Sequence, residues 1–468
     1  MNREWFLLLV ILVFLTGGCT MAPKYTRPEA PVPDQWPAGA AYKETKSAAS
    51  TPTATELPWR QFFTDEHLQK IIGITLDNNR DLRVAALNVE RARALYGISR
   101  AELLPAVDAV GTVTKQGIPA DLSTTGAAMT SVQYGVNLGI ISWEIDFFGR
   151  IRSLKDKALE EYLATEDARR SAQISLVSSV AQAYLTLAAD RETLKLVAST
   201  LEAQEASYKM IQKRCEVGIS SELDLRRAES QVDTARRDVA SYTQIIAQDE
   251  NALNLLVGSA MPQEISPLDL GSVSPPKEIS PGLSSEVLLR RPDVLAAEHQ
   301  LKAANANIGA ARAAFFPNIS LTTAIGTASA DLSGLFKSGQ GTWLFAPQIV
   351  MPIFDARTWS AYDVVKVEKE ISVAQYERVI QTAFREVADA LAVRGTVNQQ
   401  IAAQQSLVEA VAETYRLSRA RYTRGIDSYL SVLDAQRSLY SAEQGLIVLR
   451  LARIVNTVTL YKVLGGGE

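Results

Sequence analysis

Apolar residues recur at intervals of three and four through two long blocks of the chain. Ile174, Val177, Ala181, Tyr184, Ala188, Leu194, Val197 and Leu201 mark the first stripe. Ile380, Phe384, Val387, Leu391, Val397, Ile401, Val408, Val411 and Tyr415 mark the second. This period predicts helices packed along a coiled-coil-like seam. The placement of Pro and Gly agrees. No Pro falls between Pro119 and Pro262 or after Pro352, and Arg150–Val217 holds neither Pro nor Gly. At 1.5 Å per residue that stretch has room for a helix of about 100 Å. Elsewhere the pattern alternates. Tyr134, Val136, Leu138 and Ile140 oppose Gln133, Gly135, Asn137 and Gly139, and Ile319, Leu321 and Ile325 oppose Ser320, Thr322 and Gly326. Trp343, Phe345, Ile349, Met351 and Ile353 share a face, while Val107–Lys115 alternates less cleanly. An apolar-out, polar-in dyad suits strands of a membrane barrel, and Trp143 and Trp343 suit its interfacial girdle. Four strands cannot close a barrel, and open edges are not tolerated in lipid, so several chains must share one; three chains give twelve strands.

The chain is internally duplicated. At an offset of 212, Asp81–Pro105 falls on Asp293–Pro317, matching Ala85/Ala297, Ala92/Ala304, Gly97/Gly309 and Arg100/Arg312. At 207 the later part aligns, with Phe147/Phe354, Arg150/Arg357, Tyr208/Tyr415, Arg214/Arg421, Gly218/Gly425, Ser221/Ser428 and Leu223/Leu430. Each half therefore reads as helix, β-hairpin, very long helix, Gly turn, helix. The expected divisions are residues 67–258 for the first repeat, with its hairpin at about 106–146, and 283–468 for the second, with its hairpin at about 318–354. A Pro-rich linker, 259–282, joins them.

The N-terminus reads as a targeting segment over residues 1–18. Arg3 precedes the apolar run Phe6–Leu15, and Thr16-Gly17-Gly18 precedes Cys19. This resembles a bacterial lipobox with Cys19 as the lipidated residue, although Thr16 rather than Leu stands three before it. Thr20 in place of Asp resembles an outer-membrane address. Residues 19–66, rich in Pro, read as an extended segment after the anchor. If Cys19 carries lipid, Cys215 has no disulfide partner and reads as a packing residue. The remaining inventory excludes more than it supports. The two His (His67, His299) and two Cys (Cys19, Cys215) form no zinc cluster unless all four converge. A net charge of −4 without a basic block argues against nucleic acid. Acidic neighbours such as Glu160/Glu161 and Asp249/Glu250 do not face each other on a helix, and no nucleotide fingerprint is present, so catalysis is not expected.

Four motifs carry a family resemblance: Trp59-Arg60-Gln61-Phe62-Phe63 with Asp65 and Leu68; Asn79-Arg80-Asp81-Leu82; Trp143–Arg150; and Arg421-Tyr422, Gly425, Ser428, Leu430, Asp434-Ala435-Gln436. Together they resemble the TolC-like outer membrane factors, in particular the OprM-type lipoprotein branch that serves multidrug efflux pumps. The resemblance implies a mostly helical homotrimer with a twelve-stranded outer-membrane β-barrel and a long periplasmic α-helical barrel. It implies a periplasmic adaptor and an inner-membrane pump as partners, contact with outer-membrane lipid, no cofactor beyond the lipid on Cys19, and no chemistry. Arg214, Gly218, Ser221, Leu223, Arg421, Gly425 and Ser428 would form the adaptor-facing tips. Leu430 and Asp434, four apart on one helical face, would line a periplasmic gate that Arg437 helps hold shut by pairing with acidic groups. Metal efflux and type I secretion use the same architecture. A periplasmic helical scaffold lipoprotein is the remaining alternative.

Overall fold

A computed structural model describes residues 20–42, 53–54, 57–280 and 284–467. The leader and Cys19 lie outside the described residues. In chain order the principal elements are α1 (Trp59–Phe62), α2 (Glu66–Asn78), α3 (Arg80–Ala101), β1 (Asp108–Ile118), β2 (Met129–Glu144), α4 (Arg150–Glu216) and α5 (Glu222–Val257). There follow α6 (Pro292–Ala313), β3 (Asn318–Ser329), β4 (Gly341–Val350), α7 (Ala356–Thr423) and α8 (Tyr429–Val463). The duplication is visible in these bounds. α3 and α6 start and stop 212 residues apart; α4 and α7 stop, and α5 and α8 start, 207 residues apart.

The described residues divide into two compact units. One unit takes residues up to Glu29, Asn88–Glu166 and Ala296–Tyr376, and contains the sheet. The sheet is antiparallel with order β1-β2-β3-β4, so the two hairpins join through β2 and β3. Among the described residues β1 and β4 do not pair, and the sheet stays open at both edges. Register sorts its faces. Ala109, Leu138, Ile325 and Trp343 lie in one cross-strand row, and Val110, Asn137, Gly326 and Thr342 lie in the next. The register shifts between Ile140 and Trp143. That bulge reverses the parity of β2, so Trp143, opposite Leu321, joins the apolar face that simple alternation would deny it. Every residue of β4 is exposed, Trp343 at 79%.

The Trp143–Arg150 motif makes the passage from β2 to α4. Glu144 accepts two hydrogen bonds from Arg150 at 2.8 and 2.7 Å. Asp146 accepts from the Ile151 and Arg152 amides, satisfying donors that begin the helix, and from the Arg152 side chain. In the same unit the N-terminal segment is pinned to α6. Glu298, 3% exposed, receives Arg27 at 3.1 and 2.6 Å, the Tyr25 hydroxyl at 3.2 Å and Lys302 at 3.3 Å. Burial pushes its carboxyl up, but Arg27 and Lys302 more than offset that and hold it below the usual range.

The other unit takes Ala30–Leu87, Asp167–Leu295 and Glu377–Glu468 and is helical. The sequence stripes form its core: Ile174, Val177, Ala181, Tyr184, Ala188 and Val197 of α4 are buried, as are Ile380, Val387, Leu391, Val397 and Ile401 of α7. Phe62 of α1 stacks on Tyr461 of α8 with ring centroids 3.8 Å apart. Asn79 caps α3 through the Leu82 amide and donates to the Leu256 carbonyl, which ties α3 to the end of α5.

Candidate functional site

Two helix reversals, α4 to α5 and α7 to α8, hold the expected tip and gate residues. Each depends on a glycine: Gly218 has φ 76° and Gly425 has φ 75°, a region costly for residues with a Cβ. The turns close alike. Ile219 donates to the Arg214 carbonyl at 2.8 Å and Ile426 to the Arg421 carbonyl at 3.0 Å, capping the outgoing helices. The incoming helices differ. Ser221 caps α5 by accepting from the Asp224 amide at 3.1 Å, while Ser428 at the start of α8 makes no side-chain cap.

The matched arginines also part company. Arg214 lies over the Tyr422 ring, 4.9 Å from its centroid, so it joins the two reversals. Its counterpart Arg421 stays within its own turn, paired with Asp427 at 2.6 and 3.0 Å. Beneath the turns Ile211, Ala228, Tyr422, Tyr429, Val432 and Leu433 form an apolar cluster. Tyr422 and Tyr429 pack with centroids 5.4 Å apart, and the Ser220 hydroxyl lies 3.4 Å from that of Tyr422. Leu223 and Leu430, together with Ile219 and Ile426, remain exposed at the ends.

Leu430 and Asp434 are both exposed on one face of α8. The Asp434 carboxylate makes no hydrogen bond or ion pair among the described residues. Among the described residues Arg437 does not pair with an acidic group; it donates to Gln231 Oε1 of α5 at 3.2 Å. Both line a cavity of about 150 Å³ whose wall also includes Gln204, Gln436, Asp238 and Tyr440. Gln204, Gln231 and Gln436 are buried, a polar layer between the helices that the apolar stripes gave no reason to expect.

Farther along the first hairpin, Asp190 of α4 meets Asp249 of α5. Burial pushes the Asp190 carboxyl up, and the hydrogen bond and charge of Asp249 push it further, to about 7. Asp249 Oδ2 is buried, with no donor other than a protonated Asp190 among the described residues. The flanking charges are already committed, since Arg191 reaches Glu250 at 2.7 Å and the Pro267 carbonyl. Tyr242 also faces the pair, its hydroxyl raised by burial and by Asp190. His299, which the sequence left unassigned, lies 2.5 Å from Glu160 in the other unit.

The chain is similar to known proteins along nearly its whole length. The family model described as outer membrane efflux protein matches residues 71–259 and 283–466, one match for each repeat. The antibiotic efflux pump outer membrane protein ArpC and the toluene efflux pump outer membrane protein TtgC, both of Pseudomonas putida, are each 51% identical over 98% of this chain and 95% of their own length. The open-state structure of the MtrE outer membrane channel of Neisseria gonorrhoeae superposes with a TM-score of 0.85 at 39% identity, covering 96% of this chain and 98% of that one.

Proposed function

The chain belongs to the outer membrane efflux protein family, and on that premise we propose that three copies close one β-barrel and that the helix reversals α4 to α5 and α7 to α8 dock a periplasmic adaptor. It is an outer-membrane exit duct of an efflux pump and not an enzyme. The observation that supports the trimer is the open sheet. β1 and β4 leave their outer edges unpaired among the described residues, a condition unsustainable in hydrocarbon unless β4 of one copy pairs with β1 of the next. The exposed Trp343, Phe345 and Ile349 then face lipid, and the row of Asn137, Gly326 and Thr342 faces the lumen.

In such a trimer Leu430 and Asp434 of α8 become threefold rings: a dewetting constriction and a cation-attracting collar. Arg437, held to Gln231, fixes the gate helix α8 against α5. Arg214, Gly218, Ser221, Leu223, Arg421, Gly425 and Ser428 shape the surface presented to the adaptor, which in turn connects to an inner-membrane pump. Cys19, outside the described residues, carries the lipid anchor. The cargo class is small antibiotics and apolar solvents, as in the names of the two relatives. Deleting the chain from its host and scoring survival in toluene and in antibiotics tests this: lost tolerance restored by the gene supports it, and unchanged tolerance to both refutes the cargo assignment.

A further inference from the structure

On the reading of the turns as the adaptor's docking end, we propose that the second turn selects an acidic protein surface through arginines that the first turn lacks. Arg416 and Arg419 in the last turns of α7 and Arg424 just past its end line a shallow exposed groove with Ala420 and Thr423. Arg416 is engaged by Glu413 at 2.7 and 2.6 Å, and Arg421 by Asp427. The guanidinium groups of Arg419 and Arg424 make no hydrogen bond or ion pair among the described residues. A helix C-terminus carries about half a negative charge, which favours a cation there. Four arginines within three turns exceed that and repel one another.

The duplication supplies an internal control. Positions matched to Arg416, Arg419 and Arg424 in the first hairpin are Lys209, Gln212 and Val217, while Lys213 stands where the second has Ala420. The exposed apolar pairs Ile219/Ile426 and Leu223/Leu430, by contrast, are common to both turns. The two turns thus share an apolar contact and each carries exposed cations, Lys209 and Lys213 in the first and Arg419 and Arg424 in the second; what the first lacks at these positions is the guanidinium fork. Free guanidinium forks match carboxylates, and apolar side chains beside them suit a partner that buries both kinds of group. A protein surface bearing Asp or Glu does so; a lipid headgroup layer satisfies only the charge.

The test measures binding of a purified periplasmic adaptor from the same host to the detergent-solubilised full-length protein, at low and high salt. Arg419→Glu with Arg424→Glu is expected to weaken binding at least tenfold at low salt and to flatten its salt dependence, while Gln212→Glu at the matched first-turn position changes it less than threefold. Circular dichroism and an unchanged oligomeric state show that the variant is folded. Wild-type affinity and salt slope in the double variant would overturn the proposal while leaving adaptor docking intact. Arginine-dependent binding to phosphatidylglycerol vesicles, with adaptor binding unchanged, would overturn it in favour of lipid. No adaptor binding by the wild-type protein would remove the docking reading itself.

Discussion

Replacing Asp190 by Asn is expected to tighten the first helical hairpin at alkaline pH and leave it unchanged at acid pH. In the folded chain Asp190 titrates near 7, against 3.8 for an ordinary Asp. A raised acid binds its proton more tightly in the folded state. The hairpin is therefore at full strength below the ordinary Asp range and weakens as pH climbs from about 4 to about 7. A displacement of about three units at about 1.4 kcal/mol each sets a ceiling of about 4 kcal/mol. The site is only half-buried, and solvent screening reduces the penalty to about 1–2 kcal/mol. Asn keeps the hydrogen bond to Asp249 without the second charge, so it removes that penalty. Hydrogen–deuterium exchange compared at the same pH reads it directly: peptides spanning Asp190 and Asp249 are expected to exchange about tenfold more slowly in D190N than in wild type at pH 8. At pH 5 the difference is expected to shrink, because the wild-type pair holds its proton. Equal protection at pH 8, or the same gain at pH 5 and pH 8, would refute the shared-proton reasoning.

Gly218→Ala is expected to cost about 1–2 kcal/mol of local stability, because φ is 76° but open space surrounds the new methyl. Gly258→Ala is expected to cost more, since φ is 78° and its Cβ would lie 2.5 Å from the Asn78 carbonyl oxygen; thermal unfolding of the two variants side by side checks the order. Glu298→Gln is expected to free the N-terminal segment at a cost of about 2 kcal/mol, limited by the half-exposed partner Arg27. Proteolysis between Thr20 and Glu29 measures it. Because the Glu298 carboxyl is held low, its contribution is present above the ordinary Glu range and fades as pH falls through the depressed value, so the gap from wild type narrows in acid. Leu430→Ala with Asp434→Ala is expected to raise single-channel conductance in planar bilayers and to weaken cation preference; unchanged values on both counts would remove these residues from the gate.

Elements whose causes are local were legible from residues alone. The stretch free of Pro and Gly from Arg150 became one helix ending at Glu216, because Gly218 supplies the only cheap left-handed residue there. The repeat offsets reappear in both ends of α3 and α6 and at the two reversals, and are off by one residue at the starts of α4 and α7 and the ends of α5 and α8. The parity reversal at Trp143 was not legible, since a bulge depends on the partner strand and not on the period of its own. At the site, the Gly turns and the shared face of Leu430 and Asp434 followed from spacing. The pairings did not. Arg214 with Tyr422, Arg437 with Gln231 and Asp190 with Asp249 each join residues on different helices, and no local pattern marks which facing side chains meet. Matching Arg214 to Arg421 by repeat suggested equal roles, whereas Asp427 captures one and Tyr422 the other; the first turn has Ser220 where the second has Asp427. Among Arg416, Arg419, Arg421 and Arg424 the sequence pattern singled out Arg421 alone, and only the structure distinguishes the two that are committed, Arg416 and Arg421, from the other two.

Native mass spectrometry of the protein extracted from outer membranes in mild detergent counts chains per particle, and so addresses barrel closure most directly. Three chains per particle, converting to unfolded single chains without a folded monomer between, is the expected result. A folded, stable single-chain particle would mean that the four strands need no neighbours, and the shared barrel would fall with it.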